Sequence, residues 1–326
     1  MLPFDPLFRN PHLQTIASHY WPRSRSESRW PLQSRLFETE PGVRVLVQSQ
    51  GGGSGEGDRS RPPAVHLVLV HGLEGSGDGG YIRSLAFAAL ESGFVVHRFH
   101  MRTCGGTEHL CDTLYHAGLT SDLRSVVEQL GAPAILVGFS LGGNVVLKLA
   151  GELADAGPSL VRAAIAVSTP INLAACTHKL SQPENRLYER RFVRRMLARL
   201  RATGRYSDRD LAGLRSIIAI DDRITAPAFG FDNAERYYRT QSALNFLSTI
   251  RVPTLLVHSQ DDHLVPFEMF DCPAVRSNRF LTLMAPAHGG HLGFLARGPH
   301  RFWLDHVILE WIATLTTSPA LCHTGI

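Results

Sequence analysis

The chain predicts an open, mostly parallel α/β sheet flanked by helices, interrupted late by a helical insertion. Three observations carry that expectation. Short apolar runs, several rich in β-branched residues, recur as VHLVLVHG (65–72), FVVHRFH (94–100), AILVGF (134–139), AAIAVS (163–168) and TLLVHS (254–259). Near-continuous apolar runs suit strands covered on both faces, which is the condition of a parallel sheet. Stretches of helical character separate most of these runs, and strands alternating with helices argue for an α/β layer architecture. The interval 171–250 breaks the alternation, with several helical patches and little strand signal.

Taken in order, VRVLVQ (43–48) alternates as a half-buried strand does. GGGSGEGDRSRPP (51–63) cannot bury apolar surface and reads as a flexible hairpin loop leading to the strand at 65–70. LAFAALESG (85–93) and DLRSVVEQLG (122–131) are helical and stop at glycine. GGNVVLKLAGELADAG (142–157) is a helix directly after the AILVGF strand. RFLTLM (279–284) is the last strand, and the amphipathic FWLDHVILEWIATL (302–315) is a closing helix. The expected organisation is a core over 1–170, a helical cap over 171–250 and a second core part over 251–326.

Composition narrows the class. The 326 residues are 44% hydrophobic, enough for a sizeable core, and the formal charge of +4 is too small to argue for nucleic acid. Five scattered cysteines, an odd number with no C-x-x-C pair, indicate neither a disulfide framework nor a zinc site and fit a reducing compartment. No apolar run approaches the ~20 residues that span a bilayer, and the first residues lack the pattern of a signal peptide. A cytoplasmic protein is expected. The arginine-rich ENRLYERRFVRRMLARLRATGR (184–205) reads first as a solvated helical face. Its alternative is contact with anionic lipid headgroups, a peripheral membrane role for the cap.

The chemistry starts at Gly138-Phe139-Ser140-Leu141-Gly142. An apolar strand runs into this G-x-S-x-G and a helix runs out, the context in which a serine is held at the carboxyl edge of a sheet as a nucleophile. Flanking glycines allow the sharp turn without Cβ clashes. A serine hydroxyl needs a base, and the base needs an orienting acid. The acid is expected in SQDDHLVP after the TLLVHS strand, where Asp262, which begins D-x-x-V-P, is preferred to Asp261 as the orienting group. The base is expected in PAHGGHLGF (286–294). His291, approached through Gly289 and Gly290, is preferred to His288, which lies nearer the strand end. Two backbone amides are expected to stabilise the oxyanion: Leu141, just after the nucleophile, and Leu73 in HGLEGSGDGG (71–80), with His71 organising that loop. That glycine-rich loop lacks the Lys-Ser/Thr ending of a P-loop, so no nucleotide is expected. Nor is a metal or organic cofactor.

These residues resemble the α/β-hydrolase superfamily. More narrowly, the chain is similar to AB hydrolase family 4, which holds bacterial hydrolases, yeast medium-chain ethyl-ester synthases/esterases and mammalian medium-chain phospholipases. The resemblance runs over nearly the whole chain, through NPHLQTI (10–16), HGLEGS, RTCGG (102–106), YHAGLTSDL (115–123), GFSLGGN, TAPAFGF (225–231) with the downstream Tyr237-Tyr238, SQDDHLVP and GGHLGF. It implies an α/β-hydrolase fold and places the charge relay on Ser140, Asp262 and His291. It also implies hydrolysis of short- to medium-chain acyl esters through an acyl-enzyme, sometimes with transfer to an alcohol. Two positions depart from the pattern: Thr103 stands where glycine is usual, and His263 where many relatives carry proline. A catalytically silent binding module is the reading from another class, and it is disfavoured because no member of the relay is missing.

Overall fold

The computed structural model describes residues 2–23, 29–51 and 65–317. Its centre is one eight-stranded sheet in the order β1-β2-β4-β3-β5-β6-β7-β8. The strands are β1 (Gln33–Glu40), β2 (Val43–Gln50), β3 (His66–Val70), β4 (Val95–Phe99), β5 (Ala134–Phe139), β6 (Val161–Val167), β7 (Thr254–Val257) and β8 (Leu281–Met284). From β4 to β8 every neighbouring pair is parallel, while β1–β2 and β2–β4 are antiparallel. All six residues of β5 are buried, as its unbroken apolar run requires.

Alternate residues of the strands supply two apolar layers. Val68, Val70 and Leu136 pack with helices α3 (Ser121–Leu130) and α4 (Leu141–Leu153) on one face. Leu67, Leu69, Ile135 and Val137 pack on the other with α2 (Gly80–Glu91) and the closing helix (Trp303–Thr317). An N-terminal helix, α1 (Pro11–Tyr20), is capped by the Asn10 side chain.

One expectation needs correction. The strands flanking the glycine-rich segment are not a hairpin pair, because β4 lies between β2 and β3. The connection therefore has to step over a strand, and most of it (52–64) lies outside the described residues. The hairpin partner of β2 is instead β1, joined to it through Pro41 and Gly42, whose φ of +77° is a turn geometry that glycine adopts without strain. β1 is an exposed edge strand with Phe37 as its one fully buried side chain, so it carries no alternating pattern to read.

Between β6 and β7 the described residues form helices and turns and no strand. The longer helices are α5 (Leu173–Leu180), α6 (Arg186–Ala202) and α7 (Ala234–Gln241). They have a small core of their own, including Val193, Met196, Leu200, Ile217 and Ile220. It closes onto Leu264 and Val265 of the loop after β7. The closing helix of the core is α8 (Trp303–Thr317).

Candidate active site

Ser140 sits between β5 and α4 with φ +51° and ψ −122°, a conformation disfavoured for a residue with a Cβ and costing on the order of 1–3 kcal/mol. Packing holds it there. Its N–H donates to Val167 O at 2.8 Å, and its carbonyl accepts from Gly143 N at 2.9 Å. The glycines beside it are needed for closeness, not for their own φ. A Cβ on Gly142 would collide with the carbonyls of Val70 and His71, and one on Gly143 with the Thr169 side chain.

His291 Nε2 lies 3.0 Å from Ser140 Oγ, and its Nδ1 lies 2.9 Å from Asp262 Oδ2. The other carboxylate oxygen of Asp262 accepts from the N–H groups of Leu264 and Val265 at 2.9 and 3.0 Å. Burial by itself would raise the Asp262 pKa. The His291 charge and hydrogen bond outweigh it, helped by His258 and the Val265 amide, and hold the carboxyl down at about 2. An ionised Asp262 can only accept, so the imidazole places its proton on Nδ1 and turns the Nε2 lone pair toward the serine.

Asp261 does something else. One oxygen lies 3.1 Å from His288 Nδ1 and the other accepts from Gly290 N at 2.8 Å, one residue before His291. It fastens the loop and does not reach the imidazole at 291. Neither Asp261 nor His288 joins the chain to Ser140.

The loop after β3 reaches the serine through Gly72, where a Cβ would press on Ser140 Cβ and the Phe139 carbonyl. The Met101 N–H donates to His71 Nε2 at 3.1 Å, so Nδ1 holds the proton and donates to Gly72 O at 2.8 Å. Burial keeps this ring neutral, with its pKa down at about 3. The amides along the loop are assigned one by one. Gly72 N donates to Tyr81 Oη, Glu74 N to Tyr115 Oη, and Gly75 N to Gly72 O. Among the described residues the Leu73 amide has no acceptor, and neither has that of Leu141 in the first turn of α4, where helix N–H groups lack intrahelical partners. Both residues line the cavity that Ser140 and His291 open into.

That cavity encloses about 740 Å³, counting the space at its mouth. Leu173, Leu180, Phe192, Met196, Ile217 and Leu264 make one wall apolar. Polar groups are fewer and mostly satisfied within the protein. Arg199 of α6 reaches both oxygens of Glu74 from Nε, at 2.9 and 3.1 Å, and donates to Thr103 Oγ1 at 2.9 Å. Asp221 accepts from Tyr238 Oη at 2.6 Å, and burial lifts its pKa to about 6.

Several residues outside the expected set hold this arrangement. His291 N donates to Thr15 Oγ1 at 2.9 Å, Ser18 Oγ to Leu292 O at 3.1 Å, and Gln14 Nε2 to Leu295 O at 2.6 Å. Helix α1 is thus the floor under the His291 loop. NPHLQTI stands out as a motif, but nothing local ties it to residues some 280 positions away. Asn144 donates to the carbonyls of Ala117 and Gln241 and accepts from Ala243 N, tying α4 to the insertion. Cys104 is buried and its thiol is pushed well up by desolvation, the state of an inert cysteine.

The comparisons with known proteins agree with this architecture. A model of the alpha/beta hydrolase fold matches residues 65–297. The chain is 35% identical to "Putative esterase YheT" of Escherichia coli (strain K12) over 322 residues, covering 94% of this chain and 91% of that one. It is 28% identical to the monoacylglycerol lipase of Saccharomyces cerevisiae, covering 76% of this chain and 58% of the longer yeast protein. The Pyrococcus furiosus esterase Pf2001 superposes with a TM-score of 0.59 at 17% identity, covering 90% of this chain and 96% of that one. The chain therefore belongs to the α/β-hydrolase fold family.

Proposed function

We infer that Ser140, His291 and Asp262 are the catalytic groups of this carboxylic ester hydrolase, and that its substrates are short- to medium-chain acyl esters. The observation that carries the reading is the unbroken chain from Ser140 Oγ through His291 to Asp262, at 3.0 and 2.9 Å, beside two amides that have no acceptor among the described residues. In this mechanism His291 Nε2 removes the hydroxyl proton as Ser140 Oγ adds to the acyl carbonyl. The amides of Leu73 and Leu141 receive the oxyanion. Collapse expels the alcohol, which leaves with the proton held by His291, and an acyl ester remains on Ser140. Water then gives its proton to His291 and attacks the acyl carbon, releasing the acid and restoring the serine. Asp262, held ionised, stabilises the imidazolium in both halves.

The helical insertion acts as a cap over 171–250, and its apolar wall suits a hydrocarbon chain. Four free cysteines among the described residues suit a cytoplasmic location. The exposed arginines of the cap suit contact with a membrane surface. A fluorophosphonate probe is expected to label Ser140, and p-nitrophenyl esters of increasing acyl length to be hydrolysed with an optimum at short to medium chains. Absence of both labelling and turnover would leave a binding module. Ethyl-ester products on adding ethanol would mark an acyltransferase.

A further inference from the structure

Helix α1 is amphipathic the wrong way round. It turns Gln14, Thr15 and Ser18 inward onto the His291 loop, where their side chains are all bonded. It turns Leu13, Ile16 and Tyr20 outward, at 54%, 47% and 69% exposure. Positions i, i+3 and i+7 share one helix face, so these three form a stripe. Beside the stripe lies α6. His12 Nδ1 is 3.1 Å from Tyr188 Oη, and Arg191 reaches His19 Nε2 at 3.0 Å and Tyr20 Oη at 3.4 Å. The outer face of α6 carries Leu187, at 77% exposure, and the exposed arginines 186, 190, 191, 194 and 195. Among the described residues none of these five has an ion-pair partner.

We propose that the outer faces of α1 and α6 together form a docking surface for a bilayer bearing anionic lipid headgroups, with Leu13, Ile16 and Leu187 entering the acyl region. The inference deepens the ester-hydrolase reading, on which its purpose rests. The charge of the patch selects the occupant. Guanidinium groups with no ion-pair partner among the described residues, beside exposed aliphatic side chains, complement a layer that is anionic at the headgroups and apolar beneath, and long arginine side chains reach back to the phosphates. A second copy of the chain would set the same cations against themselves across a twofold axis. A nucleic acid would satisfy the arginines and leave Leu13 and Ile16 in water. Position gives the surface its use. The inner face of α6 contributes Phe192, Met196 and Arg199 to the cavity wall, and the inner face of α1 carries the His291 loop. A docked molecule would hold its active-site cavity close to lipid-dissolved esters.

The test is co-sedimentation of the full chain with large vesicles of equal parts phosphatidylglycerol and phosphatidylcholine, against vesicles of phosphatidylcholine alone. Binding about tenfold stronger to the anionic vesicles, and weakened by salt, is expected. Leu13→Gln with Ile16→Gln, and separately Arg190→Gln with Arg194→Gln, should each lower it several-fold while circular-dichroism melting and turnover of a water-soluble short-chain ester stay as in the parent. Failure of the parent to bind anionic vesicles overturns the proposal. So does retention of binding in both double variants, equal affinity for duplex DNA that the leucine and isoleucine changes leave untouched, or a dimer that those changes dissociate. Vesicle binding is read without catalysis, so an inactive chain that binds would refute the esterase reading and leave this one standing.

Discussion

Two aspartates adjoin in the loop after β7 and two histidines lie three apart in the loop after β8, and the four side chains sort into pairs. Asp262 with His291 continues to Ser140 Oγ, whereas Asp261 with His288 ends on the Gly290 amide. Ser140→Ala and His291→Ala are each expected to lower ester turnover by about four orders of magnitude without changing the melting temperature by more than a few degrees. Asp262→Asn should cost a comparable factor, since an amide cannot hold the imidazole in the same tautomer. His288→Ala should cost severalfold at most, because the side chain is partly exposed and its ring bonds Asp261 rather than Asp262 or Ser140. Steady-state kinetics on one soluble ester decides all four. A dead His288 variant beside an active His291 variant would reverse the assignment. Thr103 shows the same dependence on surroundings. Its φ of +59° lies in the region that favours glycine, yet its hydroxyl accepts from Arg199 and ties the loop after β4 to α6.

Helix α1 is the element whose function is least visible in its own residues. Gly290 and Gly293 lie against it so closely that a Cβ on either would meet the backbone of α1. The glycines of GGHLGF thus admit a helix as well as bend a loop. Thr15 is a positioning residue in this contact, acting through the His291 backbone. Thr15→Val removes the acceptor and keeps the shape. It should lower kcat about tenfold with little change in KM, and Thr15→Ser should restore most of the loss. Equal damage from both substitutions, or a loss confined to thermal stability, would make the contact merely structural.

The molecule as a whole pays for its packing in buried carboxyls, and their titration sets its response to pH. Asp305, in the first turn of α8, is buried and accepts from Ser84 of α2. Desolvation raises its pKa from the ordinary 3.8 to about 6, only partly offset by Ser84 and Arg23. The folded state then holds a proton that the unfolded state has released, so this group's contribution to stability falls as pH rises from about 4 to about 6. Asp305→Asn should raise the melting temperature at pH 8, by the equivalent of about 1–3 kcal/mol, with the advantage vanishing near pH 4. Asp262 has the opposite sign. Its depressed pKa of about 2 contributes stability above the ordinary carboxyl range, lost as pH falls from about 4 toward 2. Melting curves of the parent and Asp305→Asn across pH 4–8 test the first sign. An advantage independent of pH would show that folding leaves the Asp305 pKa unshifted, and would overturn this reading.

Much of this was readable before any coordinate. The buried strands are apolar runs because both faces are covered, and the serine stands between a run and a helix because the turn itself needs its small neighbours. Those are local requirements, written within about ten residues of where they act. Other features were not readable. β1 escaped because an exposed edge strand needs no alternation, and the order β2-β4-β3 escaped because edge pairing leaves no mark on either partner alone. Leu73 could be named as a donor, but only the acceptors found for Gly72, Glu74 and Gly75 leave its amide over. The seat of α1 beneath His291, and the arginines of α6 alongside its outward leucine and isoleucine, bring together residues far apart in the chain. Such neighbours are chosen by packing and by the satisfaction of buried polar groups, which act through space and leave no period along the chain.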